Sequence, residues 1–121
     1  MTVEELYTSI HADYTEAKSR LMNDKLITKF IVKFLNDPSF NQLMEAKENK
    51  DSKGMFEASH ALKGVTANLA LTSLSKQASD ICESFRPGKE VKHSKEELES
   101  MFSELDLEYK DTCQKIEEFS K

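Results

Sequence analysis

The chain has 121 residues, the length of one ordinary domain, with 38% hydrophobic and 32% charged side chains, so a core is possible but must be economical. Its 22 acidic side chains outnumber 17 basic ones, for a net charge of −5, and an acidic excess argues against nucleic acid, whose phosphates call for a basic face. No apolar run approaches a membrane span and the polar start MTVEELYTSI is no signal peptide, so a soluble cytoplasmic protein with one domain over residues 1–121 is expected.

Three glycines and two prolines punctuate the chain, none before Pro38 and none after Gly88. Long stretches rich in Glu, Lys, Leu, Ala and Met without such breaks favour helix over strand, and no Asn-Gly or Asp-Gly hairpin signal occurs. An all-α fold is expected. Thr2 and Glu5 form a capping box ahead of an apolar stripe at Val3, Leu6, Tyr7 and Ile10. Tyr14, Ala17 and Leu21 continue helical spacing up to Asn23-Asp24. Leu26, Ile27, Phe30, Phe34 and Leu35 follow, ended by Asn36-Asp37-Pro38, because the residue before proline is pushed out of the α region. Ser39 is placed as the cap of a helix carrying Phe40, Leu43, Met44 and Ala46, and Glu48–Lys53 as a short connection.

A helix over 52–69 and another over 72–85, with Leu74, Ala78, Ile81 and Phe85 inward, come next. Arg86-Pro87-Gly88-Lys89 is the clearest loop. Ser94 and Glu97 make a second capping box, opening a last helix with Leu98, Met101, Phe102, Leu105, Tyr109, Thr112, Ile116 and Phe119 on one side. Four amphipathic helices with short connections imply an antiparallel, up-down-up-down four-helix bundle, with short N-terminal helices covering one end. Cys82 and Cys113 have neither a CxxC partner nor a His at ligand spacing. No disulfide framework or metal site is expected, and both read as small buried residues.

One helix carries a feature that packing does not require. At 100° per residue, Met55, Ala58, Leu62, Val65 and Leu69 form its core stripe, which leaves His60 roughly 200° from Leu62 and facing solvent. Lys63 and Gly64 are its i+3 and i+4 neighbours, with Ala67 a turn further on and Glu57 at i−3. A glycine inside a helix costs about 1 kcal/mol relative to alanine. Its use here is to clear the surface beside the imidazole, while Lys63 can return an ammonium toward an anion attached to the ring. Neutral imidazole is a competent nucleophile near neutrality, its ordinary pKa being about 6.5. An exposed His beside a Lys is also, simply, a solvated face.

Ser59-His60-Ala61-Leu62-Lys63-Gly64-Val65-Thr66-Ala67-Asn68-Leu69 resembles the signature of histidine-containing phosphotransfer (HPt) domains, H-x-L-K-G followed by Leu and usually Gly. The order of helices and the length are similar to a whole HPt domain. One departure is Ala70, where the family has its usual glycine, which bears on the turn into the next helix. The resemblance implies a carrier in a multistep two-component phosphorelay. His60 would accept a phosphoryl group from the aspartyl phosphate of a receiver domain and pass it to another receiver Asp. Lys63 would stabilise the phosphoryl oxygens, and Gly64, Ala67, Glu57, Phe56 and Asn68 would meet the receiver. Positioning and charge neutralisation dominate such a displacement. The resemblance implies that the partner supplies the catalytic pocket and Mg²⁺, so no cofactor and no metal are expected in this chain. No nucleotide motif is present either, so a phosphocarrier rather than a kinase or other self-sufficient enzyme is expected. Its partners would be response-regulator receivers or a hybrid histidine kinase, met by a monomer whose docking face stays open.

Other residues carry weaker expectations. Glu57 is in reach to bond the second imidazole nitrogen, Phe56 is either an apolar anchor or covered by the preceding helices, and Gln77 is a candidate to approach the His side. His11 and His93 are competing phosphoacceptors, His11 at a helix junction and His93 in a solvated Lys-rich connection. The alternative functions are a helical adaptor that binds receivers without being phosphorylated, and an unrelated four-helix module.

Overall fold

The structure, a computed structural model, describes residues 1–89 and 93–121. Helix is the one regular secondary structure of the described residues, with no strand among them. Seven α-helices follow in order: α1 (Val3–Ser9), α2 (Tyr14–Leu21), α3 (Asp24–Lys33), α4 (Ser39–Glu48), α5 (Ser52–Asn68), α6 (Thr72–Ser84) and α7 (Lys95–Ser120), with a 3₁₀ turn at Phe34–Asn36 between α3 and α4.

The helices start where side chains can accept from their first free N–H groups. Both capping boxes form, Thr2 with Glu5 and Ser94 with Glu97. Asp13, Asn23 and Asp51 cap α2, α3 and α5. At α4 the expected cap moves. Ser39 is the first helical residue and buried, and Asp37 Oδ1 accepts from its N–H at 2.9 Å. The aspartate before proline is already extended, so it is better placed than Ser39 to reach back.

Three helix ends share one device. After α1, α4 and α5 the chain passes through a left-handed residue, His11 (φ 56°), Lys50 (φ 53°) and Ala70 (φ 55°). The next N–H in each case returns to the helix: Ala12 to Tyr7 O, Asp51 to Ala46 O and Leu71 to Thr66 O, each at 2.9 Å. This is the six-to-one bond that closes a helix C-terminus. Ala70 thus adopts the conformation for which glycine is the usual choice, and the departure at that position leaves the turn intact.

Side-chain contacts fix the pairing of the long helices. Gly54 of α5 faces Ala46 of α4. Cys82 of α6 faces His60 of α5. Ser73 Oγ of α6 donates to Glu108 Oε1 of α7 at 2.8 Å. Tyr109 of α7 stacks on Phe40 of α4, ring centroids 3.9 Å apart, and Lys47 pairs with Glu99 at 3.2 Å further along the same two helices. Leu43, Leu62, Ile81, Leu105 and Ile116 fill the interior between them, each side chain stabilising by about 1.5–3 kcal/mol on burial.

The N-terminal helices cover the end where α5 turns into α6. Tyr7, fully buried, donates to Leu69 O at 2.8 Å, and Asp13 N–H donates to Ala70 O at 2.9 Å. Both satisfy carbonyls that the end of α5 leaves free. Burial pushes the Tyr7 phenol well above its usual range. Two expectations about the core need correction, those for Val65 and Cys113. Val65 is only half-buried because it lines a cavity, whereas Ser59 and Thr66 are fully buried; their hydroxyls donate to Met55 O and Leu62 O within the helix, which removes the cost of burying them. Cys113 is half-buried, beside Tyr109.

Candidate functional site

α5 presents three faces. One packs into the core through Met55, Ala58, Leu62 and Thr66. A second meets α6. The third, centred on His60, is exposed. The imidazole is not free to rotate at random, because neighbours hold two of its sides. The Phe56 ring stacks against it one turn before, centroids 6.0 Å apart and planes 22° from parallel. From α6, Cys82 Sγ lies 4.0 Å from Nδ1. The Phe56 ring is itself covered by the Arg86 guanidinium, 5.5 Å from its centroid, a cation–π contact.

Toward the C-terminus of α5 the surface drops away. A Cβ placed on Gly64 would meet no atom within 4 Å. Beyond it, Lys63 and Ala67 line one wall of a cavity of about 470 Å³, with Ser75, Lys76 and Ser79 of α6 opposite and Arg20 of α2 at its edge. Three cations, Arg20, Lys63 and Lys76, therefore line this cavity in a molecule of net charge −5, and Lys63 is one turn along α5 from the exposed imidazole. Asp13, Glu16 and Asp80 share that cavity, and Glu16 bonds Arg20 at 2.7 Å. Lys63 and Lys76 are the cations of the cavity without a carboxylate within ion-pair distance among the described residues. On the other side of His60, Glu83 binds Arg86, which holds its carboxyl down at about 2. Such a surface can offer a nitrogen lone pair to an electrophile and meet negative charge arriving with it.

A family model for the Hpt domain matches residues 36–119, more than two thirds of the chain. The chain belongs to the Hpt domain family. No curated protein and no solved structure matched the chain. Hpt domains are phosphocarriers that interact with receiver domains and kinases in phosphorelays, and membership indicates that this chain takes part in histidine phosphotransfer. The match starts at Asn36, so α1, α2 and α3 of this Hpt domain lie outside it.

The remaining sequence-predicted residues are distributed as follows. Glu57 is exposed, and its carboxylate is 3.9 Å from Lys53 rather than on the imidazole. Asn68 lies at the mouth of a second cavity, about 670 Å³ and mostly apolar, lined also by Leu21, Phe30, Phe34, Val65 and Leu69. Gln77 does not approach His60. It faces α7, among Glu104, Glu108 and Thr112, with its Oε1 buried. Of the competing histidines, His11 is exposed in its left-handed turn. His93 is half-buried with Nδ1 3.0 Å from Ser84 Oγ, not a solvated connection; Lys92, placed in the same connection, lies outside the described residues. No helix is long and apolar enough to cross a membrane, and no group of three or more His, Cys, Asp or Glu is placed to hold a metal, both among the described residues.

Two residues around the site were missed: Cys82, read only as core, which meets His60, and Arg86, read only as loop, which covers Phe56. The signal that finds them is the turn itself. α5 and α6 fold back on each other about Leu71, so residues equidistant from it face one another. Position 60 reflects onto 82, 56 onto 86, 63 onto 79 and 67 onto 75, which are the pairs observed around the site. Gln77 reflects onto Val65, about one and a half turns along α5 from the imidazole.

Proposed function

We propose that this Hpt domain carries the phosphoryl group on His60, taking it from the aspartyl phosphate of one receiver domain and delivering it to the Asp of another. The observation that carries the reading is the exposed imidazole with an empty surface at Gly64 and with Lys63, one turn along the helix, lining the adjoining cavity. The His60 lone pair attacks phosphorus as the bond to the carboxylate oxygen breaks. In-line geometry and charge neutralisation supply most of the rate. Lys63 meets the phosphoryl oxygens. Gly64, Ala67, Phe56, Glu57 and Asn68 form the surface that the receiver touches, and the receiver brings its acidic pocket and Mg²⁺. No ATP motif is present in the sequence, which is consistent with a carrier that depends on its partner for catalysis. The pairings of α4 with α5, α5 with α6, α6 with α7 and α7 with α4 support an up-down-up-down four-helix bundle as the scaffold. A cytoplasmic monomer fits an interface that must bind different receivers in turn.

The test is transfer of labelled phosphate from a phosphorylated receiver, run beside His60→Gln. Acid-labile, base-stable label on the wild type alone is the expected result. Receiver binding without label would mean an adaptor instead, and label retained in His60→Gln would move the site to another histidine.

A further inference from the structure

A cavity of about 670 Å³ opens where α2, α3 and the 3₁₀ turn meet the C-terminal end of α5, and His60 does not line it. Its walls are apolar: Leu21, Phe30, Phe34, Val65 and Leu69. The volume falls within the range of about 300–1,000 Å³ usual for small-molecule sites. Packing leaves this surface uncovered, since Val65 stays half-buried at a core-stripe position and Phe30 is 36% exposed. Apolar walls without a facing side chain forgo dispersion contacts that an apolar ligand restores. Leu69 is only 3% exposed, so an occupant that touches it must be narrow. A single hydrocarbon chain meets that condition, and a flat bilayer surface does not.

Charge selects the head of that chain. Arg20 and Lys33 line the cavity against one carboxylate, Asp37. Asp37 is turned to the Ser39 N–H, which its Oδ1 caps at 2.9 Å, and Arg20 is bonded to Glu16. Lys33 forms no ion pair among the described residues. It ends a row with Lys25 and Lys29, also unpaired among the described residues, at i, i+4 and i+8 along one face of α3. Residues 14–33 hold five cations (Lys18, Arg20, Lys25, Lys29 and Lys33) against two carboxylates (Glu16 and Asp24), in a molecule of net charge −5. Positive potential is thus concentrated where apolar surface is left open. We infer that this cavity binds a single-chain amphiphile with an anionic head, a fatty-acid-type carboxylate whose chain enters between α3 and α5 and whose head meets Lys33. The cavity adjoins the proposed receiver surface through Asn68, yet binding there is independent of the phosphoacceptor role of His60.

The experiment titrates the whole domain with sodium decanoate and, separately, with decyltrimethylammonium, which has the same chain and the opposite head. Methyl shifts of Leu21, Val65 and Leu69 in ¹H–¹³C NMR report occupancy. Decanoate should give saturable shifts centred on these methyls, with a Kd of about 2 mM or tighter, and the cationic chain should bind about fivefold more weakly or worse. Lys33→Glu, at an exposed position, should weaken decanoate by about fivefold or more and leave the cationic chain no weaker. Val65→Phe fills the cavity and should abolish binding; its melting temperature shows whether it is folded, and Lys33→Glu decides the matter if it is not. Shifts that do not saturate, equal affinity for the two heads, or a decanoate Kd unchanged in Lys33→Glu overturns the inference. So does a silent decanoate titration in which the receiver of the transfer assay shifts the same methyls, since the occupant is then a protein. Neither titration involves phosphoryl transfer, so its result stands whether or not His60 takes label.

Discussion

Gly54 and Gly64 belong to the same helix, and replacing each by alanine should move stability in opposite directions. At Gly64 an added Cβ meets nothing within 4 Å. Gly64→Ala should therefore recover the helix-interior difference of about 1 kcal/mol, raising the melting temperature by about 3–6 °C in a domain of this size. At Gly54 the same atom would fall onto the Asp51 carboxylate and 3.1 Å from the Ala46 Cβ. That carboxylate caps α5 by accepting from Gly54 N–H at 3.0 Å. Displacing it costs about 1 kcal/mol, and crowding against α4 adds to that, so Gly54→Ala should be destabilising. Gly64→Gln then separates stability from function. Glutamine is a good helix former, so the variant should be at least as stable as the wild type, yet its side chain projects one turn beyond His60 over the cleared surface. Forcing a partner to accommodate it resembles overpacking, about 1–3 kcal/mol, which corresponds to transfer slowed about 5–150-fold. Urea unfolding and transfer from a phosphorylated receiver measure the two quantities. Transfer at the wild-type rate would refute the idea that Gly64 keeps a docking face clear. A loss of stability would show instead that packing requires the glycine.

Lys63→Glu should shift the transfer equilibrium against the phosphorylated domain by about fivefold or more, since one charge pair at about 4 Å is worth about 1 kcal/mol even in water; unfolding of the free protein should change little. Lys50→Gly should stabilise by about 0.5–1 kcal/mol, because an exposed residue leaves a strained left-handed conformation. Ala70→Gly should be near neutral, because the same relief is offset by about 0.8 kcal/mol for a buried methyl; denaturant midpoints read both. Glu83 titrates at about 2 against an ordinary 4.5, mainly through its hydrogen bond from Arg86. A depressed carboxylate stabilises above its unfolded pKa and loses that contribution as pH falls through the folded one. The stability difference between wild type and Glu83→Gln should hold from pH 7 to about 4.5 and vanish toward pH 2; a difference unchanged at pH 2 would count against the Arg86 pairing.

The all-helical fold and the exposed His60 were legible in the sequence because both depend on local period. Leu62 and His60 are two positions apart on one helix, and their opposite burial follows from 100° per residue. The capping boxes at Thr2 and Ser94 are equally local, and both form. What the local pattern does not contain is the facing partner. Gln77, on the next helix, was a candidate to approach the His side, although it lies against α7; Cys82 is the small buried residue its position implies, but that position does not reveal its contact with the imidazole. The α1, α4 and α5 turns were hard to read for another reason. Their left-handed positions are His11, Lys50 and Ala70, none of them the glycine that ordinarily marks such a turn.

Those turns also explain why the N-terminal helices matter to a site they do not line with a nucleophile. An alanine in a left-handed conformation costs about 1–2 kcal/mol, and the carbonyls around it need partners. Tyr7 Oη and Asp13 N–H supply two, at Leu69 and Ala70. The reflection of α6 onto α5 is set at this turn, and a change of one residue in its register would rotate α6 by roughly 100°. Cys82 would then leave Nδ1, and Arg86 would leave Phe56. The helices before Asn36, outside the family match, thus hold the hinge on which the arrangement around His60 depends.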